Sequence, residues 1–176
     1  MGKKGQIAGQ VFIYIMAVIV IGGIVVVGYN AIKNITGKSC DVEKITFKAD
    51  MENLIEKYTS YGSVNKKTLR APCSYDTVCF VDASVLSGEA SSKTDFKCLD
   101  NGVINGQITD SVKNGDEQDI FVISGGKTIP IGYSSYIRLK PDQTGCLCIT
   151  ARSKNFYITF EGFGSYTQIS STAISG

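Results

Sequence analysis

From Val11 to Tyr29 the chain carries no charged side chain, and the uncharged stretch extends over 28 residues, from Gly5 to Ile32. Wound as a helix, nineteen such residues reach roughly 28 Å, close to the hydrocarbon thickness of a bilayer. Valine and isoleucine dominate, which in water biases toward strand. In lipid a lone strand leaves its backbone groups unpaired, so the helix wins. The apolar positions surround the helix without forming a stripe, which excludes a helix lying flat on a membrane surface. The run is longer than a buried core helix usually needs. It is also too long for the apolar region of a secretory signal, and "GYNAIKNITG" follows it where a small-x-small cleavage site should stand. The pattern predicts a membrane-spanning helix.

A hydrophobicity break follows at "ITGKSC", where Gly37 allows either a continuous helix or a short hinge and Ser39 or Asp41 are possible caps. Beyond it Phe47, Met51, Leu54, Ile55 and Tyr58 recur at helical spacing, which predicts an amphipathic helix from about Asp41 to Ser60. Lys44, Lys48, Glu52 and Glu56 occupy its solvated side.

After "YGS" the pattern turns to strands. "TVCFVDA" reads as a short buried strand. "DIFVIS" and "KTIPIG" flank Gly125-Gly126, a two-residue hairpin signature. "SYIRLK" ends at Pro141. "GCLCITA" and "FYITFEG" form another pair of apolar runs joined by a polar turn, and "SYTQIS" closes the series. The segment from Leu86 to Gln118 is rich in Ser, Gly, Asn and Asp and is expected to form long loops with little regular structure. The fold class is therefore α+β, with seven or eight short strands in a largely antiparallel sheet after a long N-terminal helix.

Charge sharpens this picture. Four of the 18 basic residues (Lys3, Lys4, Lys33, Lys38) precede Cys40 and no acid does, so the remainder holds 14 basic against 16 acidic residues, a net of −2. A nearly neutral body offers no basic stripe for a phosphate backbone, so nucleic acid is excluded as a partner. The four lysines flank the apolar run, where anionic lipid head groups would lie. The absence of histidine removes the commonest general base near neutrality and the commonest metal ligand. The chain is read as a non-enzyme without cofactor or metal.

Cys40, Cys73, Cys79, Cys98, Cys146 and Cys148 are an even set, which favours disulfides once the body lies outside the cell. Cys146 and Cys148 sit two apart on a strand and share a face, so each needs a different partner, with Cys73, Cys79 and Cys98 the nearest candidates. A metal cluster is disfavoured, because no paired CxxC and no histidine is present. Asn34-Ile35-Thr36 is the single glycosylation sequon, five residues beyond the apolar run. "SGGKT" lacks the spacing of a phosphate loop, and "NGDEQD" lacks that of a helix-loop-helix calcium site.

The junction Lys3-Lys4-Gly5-Gln6, followed by an apolar helix from Ile7, resembles the class III signal peptide of type IV pilin-like proteins, in particular the archaeal form. The resemblance covers about 35 residues and implies a division into a leader (1–5), an apolar membrane and filament-core helix (6–36), an amphipathic helix (37–60) and a disulfide-containing β-rich extracellular domain (61–176). It implies cleavage between Gly5 and Gln6 by a membrane prepilin peptidase, and assembly by an ATPase and a platform protein. It further implies a self-associating structural subunit of a surface filament, held in the cell membrane as a precursor and engaged in adhesion or attachment. Gln10 stands where bacterial members usually carry Glu; a neutral amide does not pair with a neighbour's amino terminus as a carboxylate does, and archaeal members often lack that Glu. Gly9, Gln10, Ala17, Gly22, Gly23 and Gly28 are the candidate filament-core packing positions, since small residues let helix backbones approach closely. The alternative is a single-pass, membrane-anchored surface binding protein that does not polymerise.

Overall fold

The computed structural model of the protein describes residues 4–73, 75–88, 93, 95–140 and 145–172, with side chains for all of these except 4–11 and 34–38. The chain divides into two units, Met1–Val42 and Glu43–Gly176.

The first unit is helical. Helix α1 runs Lys4–Lys57, and its assignment passes through Gly37, Ser39 and Asp41 without interruption. The caps considered for "ITGKSC" do not form there, because the helix does not end. A single glycine costs a helix only about 1 kcal/mol, less than breaking and renucleating the ladder.

The second unit opens with residues 43–57 of α1. Phe47, Met51 and Ile55 are buried, and Leu54 and Tyr58 pack against them at the edge of the core. On the outer side Lys48 and Glu52 form an i,i+4 pair at 3.9 Å. The strands follow: β1 (Val64–Arg70), β2 (Thr77–Val81), β3 (Leu99–Asp100), β4 (Val103–Ile104), β5 (Ile120–Ser124), β6 (Lys127–Gly132), β7 (Ile137–Leu139), β8 (Cys146–Thr150), β9 (Asn155–Gly162) and β10 (Thr167–Ser171). Helices α2 (Ala83–Ser87) and α3 (Gly106–Asn114) lie between them. One sheet has the order β1-β9-β10-β7, a second has β6-β5-β2-β8, and β3-β4 form a small ribbon. Among the described residues every strand pairing is antiparallel except β10 with β7.

Burial explains the layering. Along β9 every second residue is buried, so the first sheet covers the core with one face only. β2 is buried at all five positions, because the second sheet is covered on both sides. Val78, Phe80, Ile120, Val122 and Ile149 join Phe47, Met51 and Ile55 and the first sheet's Phe156, Ile158, Phe160 and Ile169 in the main core. Cys79, Val81, Phe121 and Ile123 face a smaller core with Phe96, Ile108 and Val112.

Two expectations need correction. The segment 86–118, read as loops, contains the β3-β4 ribbon and α3. Helix α3 is well specified locally: the Asn105 side chain accepts from the Ile108 N–H, Gly115 closes the helix in a left-handed conformation, and Ile108 and Val112 are buried four residues apart. Its polar composition hid that single apolar edge. The runs "GCLCITA" and "FYITFEG" are strands, but they do not pair as a hairpin. β8 belongs to the second sheet and β9 to the first, with only the bridge Arg152–Asn155 between them. The Gly125-Gly126 hairpin does form, with Ser124 opposite Lys127 and both glycines at positive φ.

Candidate functional site

Residues Phe12–Lys33 of α1 form a 22-residue segment containing an 18-residue stretch of mean hydropathy 2.6, and none of it is buried. Such a helix is about 33 Å long, enough to cross a bilayer. Phe12, Tyr14, Val18, Ile24, Val27 and Tyr29 all remain more than 60% exposed and point in different directions around the axis. The intramolecular core makes no use of them. The physical requirement is a surrounding apolar medium, supplied by lipid tails or by other helices.

Gly22, Gly23 and Gly28 lie within this segment, and a Cβ added at any of them would meet nothing within 4 Å. No contact among the described residues demands glycine at these positions, although each costs the helix about 1 kcal/mol relative to alanine. Ala17 is equally exposed. Gly5, Gln6, Gly9 and Gln10 lie in the first turns of the helix, where side chains are outside the described part; the side chains of Asn34 and its sequon, further along α1, are outside it too. Lys3, the first leader lysine, is outside the described residues.

All six cysteines are oxidised. Cys79 on β2 bonds Cys148 directly opposite on β8, with Cα atoms 4.0 Å apart. Cys98, in the segment before β3, bonds Cys146 with a Cα separation of 5.2 Å. The two bridges touch, Cys98 Sγ lying 3.8 Å from Cys148 Sγ. Cys40 and Cys73 are also disulfide-bonded. The Cys79, Cys98 and Cys148 sulfurs lie within 4.8 Å of one another, close enough for a metal in the reduced state. Here each of these sulfurs is committed to an S–S bond and offers no thiolate.

Two buried acids were not singled out by pattern. Asp82 caps α2 through the Ser84 N–H at 2.8 Å, accepts from the Leu139 N–H at 2.8 Å and lies 3.8 Å from Arg138 Nε. The sequence Asp-Ala-Ser before a short apolar stretch was its legible signal. Asp119 is fully buried, and both of its oxygens lie 2.9 Å from the Ser134 nitrogen, whose N–H they share. Burial pushes its carboxyl up to about 7, opposed by the Ser134 N–H and its own backbone N–H and reinforced by the negative Glu52. Both acids brace loops against strands. In "NGDEQD", Asp116 accepts from the Ser111 hydroxyl at 3.0 Å, so part of that acidic cluster closes the end of α3.

The arrangement of the chain is thus an exposed apolar helix joined in sequence to a disulfide-braced two-sheet unit. No protein-family model, curated protein or solved structure matches the chain.

Proposed function

We propose that the chain is a structural subunit of an archaeal type IV pilus-like surface filament, polymerising through α1 and displaying its β unit outward for attachment. The observation that carries this reading is the Phe12–Lys33 segment, which is apolar all round and entirely unburied. A filament core built from copies of such a helix covers every face of it, and the unclaimed glycines at 22, 23 and 28 suit close backbone approach there. In this reading the precursor waits in the cell membrane, a prepilin peptidase cuts between Gly5 and Gln6, and an ATPase with a membrane platform drives assembly. The disulfides support an extracytoplasmic location for the β unit.

The same exposed helix supports a second reading, a permanent single-pass anchor for a surface binding domain, because lipid also satisfies every face. Two measurements separate them. Mass spectrometry of the native protein is expected to find Gln6 at the amino terminus; an unprocessed Met1 or Gly2 overturns the processing step. Electron microscopy of sheared surface material is expected to show filaments containing this chain. Its confinement to the membrane fraction favours the anchor.

A further inference from the structure

We infer that the open edge of β8 is a docking site for an extended peptide segment bearing a carboxylate, which joins the second sheet as an added strand. This site is independent of whether α1 polymerises.

The two sheets have four edge strands, and three are protected against strand addition. β1 carries Lys66, Lys67 and Arg70, β6 carries Lys127 and Pro130, and β7 has only three residues. β8, Cys-Leu-Cys-Ile-Thr, has neither charge nor proline over its five residues. Its ladder bonds with β2 show which backbone groups remain free. The Ala151 N–H donates to the Asp76 carbonyl at 2.8 Å, and the Asp82 N–H donates to the Gly145 carbonyl at 2.9 Å. With the register Thr77–Thr150, Cys79–Cys148 and Val81–Cys146, antiparallel alternation makes those three pairs non-hydrogen-bonded. The N–H and C=O of Cys146, Cys148 and Thr150 therefore point away from β2; Cys146 is buried, so Cys148 and Thr150 present the accessible groups. No described residue pairs with them.

A groove of about 580 Å³ lies beside the Cys148–Thr150 half of this strand. It is lined by Cys148, Ile149 and Thr150 of β8, by Tyr157 and Thr172, and by Asn101 of the β3-β4 turn. Arg152 is the single charged residue among those lining it. Its guanidinium makes no ion pair or side-chain hydrogen bond among the described residues. A row of alternating donors and acceptors selects an extended backbone, and an unopposed guanidinium selects a carboxylate.

The test uses the full chain in detergent micelles and an array of heptapeptides with free carboxyl ends and three varied alternate positions. The tightest peptide is then measured by fluorescence anisotropy beside two relatives, one N-methylated at alternate residues and one ending in an amide. N-methylation is expected to abolish binding, and the amide to weaken it about threefold. Thr150→Pro is expected to weaken the parent peptide about tenfold at unchanged melting temperature, because the Thr150 N–H is not used in the β2 ladder. Arg152→Gln is expected to erase the difference between acid and amide. Failure to select any peptide overturns the proposal, as does equal binding of the N-methylated form, the result expected of a saccharide-like or side-chain-only site. Should Thr150→Pro not fold, the N-methylated peptide on the unaltered protein decides alone. Equal binding of acid and amide overturns the carboxylate requirement.

Discussion

Thr167, the first residue of β10, donates its hydroxyl hydrogen to the carbonyl of Ile55 at 2.6 Å, and both residues are fully buried. The carbonyl lies in the last turn of α1, where helical partners run out. The next bonds, Tyr58 N–H to Leu54 and Thr59 N–H to Glu56, skip the Ile55 carbonyl. Thr167 supplies the missing donor and fastens the helix end to the first sheet. Thr167→Val keeps the shape but strands a buried acceptor, so it is expected to destabilise the second unit by about 1–3 kcal/mol in urea titrations. Thr167→Ser restores the donor and is expected to recover most of that loss.

Gly162, the last residue of β9, is held by the same corner. Its N–H donates to the Ser63 carbonyl at 2.8 Å, and its own carbonyl accepts from Gly62 at 3.0 Å. A Cβ here would collide with the backbone carbonyls of Ser60 and Tyr58. Backbone cannot swing aside as a side chain does. Gly162→Ala is expected to cost about 3 kcal/mol, measured as a lowered urea midpoint. Gly132→Ala meets the mobile end of Glu52 instead and is expected to cost far less.

Asp119 makes stability depend on pH. Its carboxyl lies at about 7 in the folded chain against an ordinary value of 3.8, so between these values the native state holds a proton that the unfolded state has released. Its contribution is full below about pH 4 and is lost as pH rises through about 7, at no more than about 1.4 kcal/mol per pH unit. Asp119→Asn keeps an acceptor for the Ser134 N–H and removes the titration. Urea midpoints across this window are expected to fall in the parent relative to the variant as pH rises; parallel profiles would remove the assignment.

Gly22 and Gly23 separate packing from anchoring. Replacing both with leucine adds apolar area, which a lipid-embedded anchor tolerates. Against copies of itself the helix would lose close backbone contact at every repeat of the interface. The double variant is expected to insert in the membrane, fold its β unit and yield few or no filaments by electron microscopy. Normal filament yield removes the packing role of these glycines.

Local patterns in the chain already marked out three features. The apolar run Val11–Tyr29 reads as a helix because a single segment in lipid satisfies its backbone in no other way, and it lies within α1. Phe47, Met51 and Ile55 lie on the buried face because helical spacing puts them there. The Gly125-Gly126 turn forms because few other residue pairs accept positive φ at both positions. Asn101-Gly102, with φ of 50° and 81°, carried the same signal at the β3-β4 turn but lay within a polar stretch that masked it. Tertiary structure decided the rest. Strand patterns state which residues face a core, not which sheet a strand enters, so β8 and β9 read as partners and are not. The pairing of Cys148 with Cys79 and of Cys146 with Cys98 required the β2-β8 register. β8 lies at the edge of its sheet because β2 pairs with one side of it and, among the described residues, no strand pairs with the other, a long-range choice that no local pattern encodes.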